Sequence, residues 1–304
     1  MRIVALAGGT GSAKLLRGLG RTGVDLTVVA NVGDNAWMYG VYVCPDIDVA
    51  CYSLAGVSDA ARGWGVAGDT FEVLESLTRL GVDTWFRLGD RDLATCLRRT
   101  SLLRSGATLT EATEAERRSL GVNYRVLPAS DDPIETRVAT PDGDLGLQEF
   151  WVREKGLPSV ERVWFRGSRK ARVTPEVRSA IGRADRIIVC PANPVSSIGP
   201  MLAVPGFAKL LADSDAPVVA LSPMRGSSPF SGPAGKMLRA AGVKPDSAGV
   251  AALYARFLDG IIVAEEDSGL EGRIRSLGVR CTFSDTLMRS PADEIRLAWE
   301  LMHA

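Results

Sequence analysis

The chain has 304 residues, 46% of them hydrophobic, which allows one large α/β domain or two smaller ones around a substantial core. Lys plus Arg and Asp plus Glu both number 36, so there is no basic excess to point to nucleic acid, and no basic helix points to a membrane surface. One histidine, His303, and five scattered cysteines without a C-x-x-C argue against a Ser-His-Asp or Cys-His centre, a histidine zinc site and a disulfide frame. Chemistry must then rest on carboxylates, hydroxyls, Lys or Arg and backbone donors, with or without a hard metal ion. No apolar run is long enough to span a bilayer, and the N-terminus lacks a signal-peptide layout. The expectation is a soluble, cytoplasmic protein.

Arg2–Ala7 reads as a buried strand. Gly8-Gly9-Thr10-Gly11-Ser12 follows as a glycine turn, and a helical pattern begins with Leu15, Leu16 and Leu19 on one face. Strand, glycine turn and helix N-terminus together make an anion site, most often for phosphate. The spacing is neither the dinucleotide fingerprint nor a Walker loop, and Lys14 follows the last glycine by three positions. Gly8, Gly9, Thr10, Gly11 and Lys14 are the candidate phosphate residues, with a tight turn that binds nothing as the alternative.

Leu26–Asn31 is a second buried strand, so a parallel sheet starts here. Its end runs into Gly33-Asp34-Asn35, on the same rim as the glycine turn. Next comes Cys44-Pro45-Asp46-Ile47-Asp48. In an extended segment both carboxylates would face one side, where like charges need a cation between them. Asp34, Asp46 and Asp48 are the candidate magnesium ligands and catalytic acids, sharing the ion with a phosphate. The alternative is a solvated loop with turn-forming aspartates.

Residues 52–122 read as mainly helical. Asp69-Thr70-Phe71-Glu72 resembles a helix start, and Asp92 is placed to cap the next helix. Arg87 and Arg91 flank a polar break, either reaching an anionic ligand or pairing with local aspartates. Thr108-Leu109-Thr110-Glu111 is another helix start. Thr136–Thr140 and Leu145–Gln148 read as strands around a hairpin turn. Phe150, Trp151, Trp164 and Phe165 read as packing residues. Further buried strands are expected at 185–190, 217–223, 260–263 and 279–281. The first empties into Pro191–Pro200, a second rim loop; the second leads to Ser231–Lys236. The fold class expected is α/β, a doubly wound Rossmann-like parallel sheet in a single domain over 1–304, with a mostly helical insertion over about 52–122.

Ten pieces in register carry a resemblance to a known family: GGTGSAKLLRGL at 8–19, NVGDNAW at 31–37, CPDID at 44–48, RGWG at 62–65, DTF at 69–71, LGDRDLAT at 88–95, LPASDDP at 127–133, PANPVSSIGPML at 191–202, SPFSGPAGK at 228–236 and DTLM at 285–288. The chain resembles the 2-phospho-L-lactate transferase family of coenzyme F420 biosynthesis nearly end to end. It departs at Ser12-Ala13, where the family often has Thr-Pro, and at Asn35, where the family usually carries a second acid. The resemblance implies a magnesium-dependent transfer of a phospho-three-carbon-acid group from a guanosine diphosphate ester to the ribityl hydroxyl of the deazaflavin Fo, with release of GMP. It further implies that Asp48 and Arg87 touch Fo, that Asn193, Ser196, Ser197 and Gly199 line the guanosine or diphosphate side, and that the enzyme is a homodimer. The alternative is a non-catalytic nucleotide-sugar-binding regulator of the gluconeogenesis-factor type. A Rossmann oxidoreductase is disfavoured by the glycine spacing.

Overall fold

A computed structural model describes residues 1–59, 61–229 and 232–304. Strand β1 (Arg2–Ala7) is apolar and buried from Ile3 onward, and it ends where α1 (Gly9–Gly20) begins. The parallel strand β2 (Asp25–Ala30) places Ala5 opposite Val28. A short hairpin, β3 (Ala36–Met38) and β4 (Val41–Val43), precedes α2 (Pro45–Ala55). Then come α3 (Glu72–Arg79), α4 (Asp90–Arg104) and α5 (Leu109–Ser119), before β5 (Arg125–Pro128) returns to pair with β2. The helical insertion expected from the sequence is therefore present.

The antiparallel strands β6 (Glu135–Thr140), β7 (Gly143–Gly146) and β8 (Arg162–Arg166) form a small separate sheet. The β6–β7 hairpin was legible in the sequence. β8 was not, because Trp164 and Phe165 read only as packing residues. The chain then supplies β9 (Arg186–Val189), β10 (Val218–Leu221), the two-residue pair β11 (Met224–Arg225) and β12 (Ser228–Pro229), β13 (Gly260–Ala264) and β14 (Arg280–Ser284).

Among the described residues the main sheet has the order β14-β13-β10-β9-β1-β2-β5, all parallel. From β1 the chain winds one way to β2 and β5, and from β9 the other way to β14. The reversal lies between β1 and β9, where loops diverge and an open α/β sheet makes its ligand crevice. Both flanking strands are apolar and buried, as a sheet covered on both faces requires. Helix α1 packs against α2 and against the last helix, Pro291–His303, where Arg17 and Arg21 pair with the buried Glu294.

Two local expectations are corrected. Asp69 does not start α3: its carboxylate accepts from the amides of Arg91 and Asp92 at 2.9 and 3.1 Å and caps α4. Asp90 in turn accepts from the amides of Glu72 and Val73 at 3.0 and 3.1 Å and caps α3. Each helix is thus capped by an aspartate at the other's N-terminus. Asp92 is no cap; it sits inside the first turn of α4 and is buried. The capping box at Thr108 and Glu111 formed as expected.

Candidate functional site

The glycine turn is shaped by its neighbours. A Cβ at Gly8 would lie 2.7 Å from Ser197 Cβ and 2.8 Å from Asp46 Oδ2, and one at Gly11 would lie 2.3 Å from the Pro191 carbonyl. Gly9 has a φ of +64°, which favours glycine. The turn thus presses against the loop after β9, across the switch point. The first donors of α1 are partly used internally: Gly8 N–H donates to Ser12 Oγ at 3.0 Å, and Gly9 N–H donates to Asp46 Oδ1 at 2.6 Å. Thr10 and Gly11 supply the remaining first-turn amides, which an α-helix leaves without intrahelical partners.

Asp46 and Asp48 do not face one side. Pro45 opens α2, so both sit in a helical first turn. Residues i and i+2 of a helix are about 200° apart around its axis. Asp46 turns to the glycine turn and to Asn31, whose Nδ2 donates to Asp46 Oδ2 at 2.9 Å and to Asp34 Oδ1 at 3.1 Å. Asn31 is fully buried at the end of β2, and its own Oδ1 accepts from Gly33 N–H at 2.8 Å. One amide therefore joins two carboxylates, one from the loop after β2 and one from the first turn of α2.

These carboxylates are electrostatically expensive. Burial, and then the Asp46 charge, push the Asp34 carboxyl well above the ordinary carboxylate range, against the Asn31 hydrogen bond. Burial pushes Asp46 up to about 6, with the bonds from Asn31 and Gly9 opposing. Among the described residues no cationic side chain neutralises either one. Two buried carboxylates facing a cavity, with only a neutral amide between them, suit a hard divalent cation. Magnesium typically takes one or two carboxylates and completes its shell with water and phosphate oxygens.

Asp48 points to the insertion. Arg99 donates to it from both terminal nitrogens, with Nη1 3.2 Å from Oδ2, and Arg99 Nη2 also donates to Glu116 Oε2 at 2.6 Å. Burial works against the Arg99 charge, but Asp48 and other neighbours outweigh it and hold its pKa up. Burial pushes Asp48 up while Arg99 pulls it down. Asp92 lies close by and accepts from Tyr52 Oη at 2.8 Å; burial, then the Asp48 charge, push it up to about 7.

A cavity of about 440 Å3 joins these groups, within the range of small-molecule sites. The sheet rim contributes Gly8–Gly11, Asp34, Asn193, Ser196 and Ser197, and α2 adds Asp46 and Asp48. Asn193 Oδ1 accepts from the amides of Val195 and Ser196 at 3.0 and 3.2 Å, which orders the loop. The insertion and the segment after β7 contribute an aromatic wall of Tyr52, Trp64, Trp85, Phe86 and Trp151. Arg87 also lines the cavity, its guanidinium 4.2 Å from the Phe71 ring centre. Lys236 Nζ donates to the carbonyls of Gly156 and Leu157 at 2.7 and 2.9 Å, tying the end of the Trp151 segment to the rim loop at 232–234.

Thus Gly8, Gly9, Thr10, Gly11, Asp34, Asp46, Asp48, Arg87, Asn193, Ser196 and Ser197 converge on one cavity. Lys14 does not line it: its Nζ donates to the Met288 carbonyl at 2.8 Å, on the side of α1 that meets the C-terminal segment. Gly199 does not line it either, because it packs beneath Phe165, whose ring carbon would be 2.8 Å from a Cβ there. Phe230 and Ser231 of the 228–236 piece lie outside the described residues. Sequence reasoning missed Asn31, Trp85 and the site roles of Tyr52, Asp92 and Trp151. For Asn31 the strand-end position on the rim was an available signal.

Known proteins match this chain in sequence and fold. The family model described as 2-phospho-L-lactate transferase CofD matches residues 3–276. The chain is similar to the 2-phospho-L-lactate transferase of Methanosarcina mazei, 38% identical over 97% of this chain and 98% of that one. It is also similar to the phosphoenolpyruvate transferase of Streptomyces coelicolor, 44% identical over 92% of this chain and 91% of that one. A crystal structure of a upf0052 family member from Bacillus halodurans shares the fold, with a TM-score of 0.68 at 17% identity, covering 99% of this chain and 98% of that one. Family model and relatives agree with the resemblance drawn from the ten sequence pieces, and the chain belongs to the 2-phospho-L-lactate transferase CofD family of enzymes.

Proposed function

We propose that this enzyme moves a phospho-three-carbon-acid group, of the 2-phospholactate or phosphoenolpyruvate type, from a guanosine diphosphate ester to the terminal ribityl hydroxyl of the deazaflavin Fo, releasing GMP, in coenzyme F420 biosynthesis. The observation that carries this reading is the composite cavity: a donor-rich sheet rim with two buried carboxylates, continuous with a wall of three tryptophans. A planar ring system fits the wall by stacking. A diphosphate fits the rim, through the Thr10 and Gly11 amides and the Ser196 and Ser197 hydroxyls.

The acceptor oxygen attacks the phosphorus bearing the acid, and the bond to the GMP oxygen breaks. Such transfers depend on positioning and charge neutralisation more than on a covalent nucleophile, which suits a chain whose one histidine is His303. Asp34 and Asp46 would hold magnesium, which would supply the positive charge that the diphosphate requires. Asn31 keeps these two carboxylates together, and the Gly9 amide orients Asp46. Asp48 and Arg87 face the acceptor, and Asn193 orders the loop that receives the nucleotide. The hydroxyl proton passes to a carboxylate facing the cavity. The same reading makes the enzyme cytoplasmic and homodimeric; among the described residues no helix is long and apolar enough to cross a membrane.

The test is GMP release by the purified chain, measured by chromatography with each guanosine diphosphate ester in turn. Release that requires both Fo and magnesium supports the reading. Release independent of Fo, or none with any ester, contradicts it.

A further inference from the structure

Arg98 and Arg99 are neighbours on α4, yet Arg98 is exposed and Arg99 is 1% exposed, the largest of the fully buried side chains. Arg99 joins three segments. Its terminal nitrogens hold both oxygens of Asp48 on α2, Nη2 donates to Glu116 on α5, and Nη1 reaches the Tyr42 carbonyl at 3.3 Å. Of the three charged residues Asp48 alone lines the large cavity; Arg99 and Glu116 line a separate one of about 70 Å3.

The arrangement is a poor way to stabilise a fold. A buried ion pair often contributes less than apolar residues of the same volume. Here Arg99 Nε and Glu116 Oε1 are also buried without a partner among the described residues, which adds a desolvation cost. Local rules are broken in this way where a site must be held.

We infer that Arg99, steered by Glu116, is a positioning residue that fixes the cavity-facing carboxylate of Asp48 and so sets affinity for the acceptor. Glu116 shares the Nη2 group of Arg99 with Asp48, so it sets where the guanidinium sits, and the guanidinium keeps Asp48 from turning toward Asp34 and Asp46. The helical insertion thereby tunes the acceptor end of the site without touching a ligand. This rests on the function proposed above and deepens it.

The test uses the full chain with Glu116→Gln, which preserves shape, and Arg99→Lys, which preserves charge. Circular dichroism and thermal melting confirm folding. KM is measured separately for Fo and for the guanosine diphosphate ester, and Fo affinity by its fluorescence. Glu116→Gln should weaken Fo binding about tenfold, the lower end of the loss seen when outer partners of metal ligands are removed, with the ester KM unchanged. Arg99→Lys should weaken it further. Combined with Asp48→Asn, Glu116→Gln should add nothing to the loss from Asp48→Asn alone, because both act through one carboxylate. Folded variants with normal Fo binding, equal losses for both substrates, or additive effects overturn the inference. A wild-type chain that binds Fo yet releases no GMP overturns the proposed transfer alone, and the Fo titrations still decide the role of Arg99. A wild-type chain that binds no Fo overturns both.

Discussion

The Gly9 amide donates to Asp46 at 2.6 Å, so the first free donor of the glycine turn is held by an acid of the same site. The turn and the acidic cluster are one structure. Asp46 gains an anchor at a helix N-terminus, where negative charge is favoured, and the amides of Thr10 and Gly11 are the ones left for the diphosphate of the proposed reaction.

Asp46→Asn keeps an oxygen for Gly9 but removes the charge. Magnesium-dependent turnover should fall about 100-fold or more, since removing partners of metal ligands alone costs roughly 10–100-fold. The melting temperature without metal should change little, because Asp34 loses a like-charged neighbour while the Asn31 amide loses its acceptor on the second oxygen. Turnover assays and thermal melts check the pair of effects. Lost stability with intact turnover would show that Asp46 is structural.

The raised carboxyl pKa values set the pH dependence of stability. Folding favours the protonated form of Asp34, Asp46 and Asp92, so their contribution is complete below the ordinary carboxylate pKa of about 4. It is lost as pH rises through the folded values of about 6 for Asp46 and about 7 for Asp92. Carboxyls held low by partners, such as Asp185 at about 2, are already ionised in this window. Without metal, the melting temperature should therefore fall between about pH 5 and pH 8. Magnesium should raise it more at the upper end, where both ligands are charged. Calorimetry with and without a chelator measures both; a magnesium effect larger at the acidic end would contradict the two-carboxylate site.

Trp85→Ala and Trp151→Ala remove parts of the aromatic wall. Loss of one stacking partner costs about 1–3 kcal/mol, or roughly 5- to 160-fold in affinity. Fo fluorescence titrations should show this weakening while the KM for the guanosine diphosphate ester stays unchanged. An effect confined to the ester would place the nucleotide on the wall instead.

Asp90 caps α3 from the start of α4, and Phe71, just before α3, stacks with Arg87. Asp90→Ala should destabilise the fold by about 1 kcal/mol, as loss of a helix cap typically does. It should also weaken Fo binding, by loosening the Phe71–Arg87 contact. Denaturant midpoints and Fo titrations read the two effects, and a stability loss with unchanged Fo affinity would separate the cap from the site.

The sheet was legible because its strands are short apolar runs bounded by turn residues, and β1 with its glycine turn placed the rim. The convergence of the 8–11, 34 and 191–197 loops followed from topology. The facing of Asp46 and Asp48 did not follow, because it depends on whether the segment is a strand or a helix; Pro45 before two acids was a helix-start signal that pointed the right way. Arg99 looked like any arginine on a polar helix, and nothing in its local pattern separates it from Arg98. The aromatic wall draws on Trp64, Trp85 and Trp151, which share no periodicity and meet only through tertiary packing. Lys14 had the right chemistry for phosphate, but helix phase turned it to the Met288 carbonyl.

The measurement closest to the central claim is mass spectrometry of purified enzyme mixed with Fo, magnesium and, separately, the phospholactate, phosphoenolpyruvate and phosphoglycerate esters of guanosine diphosphate. The account predicts an Fo product heavier by one phospho-acid group, formed with the phospholactate or phosphoenolpyruvate ester and lost when magnesium is chelated. Fo recovered unchanged with every ester, under conditions where the protein is folded and magnesium-loaded, would contradict it.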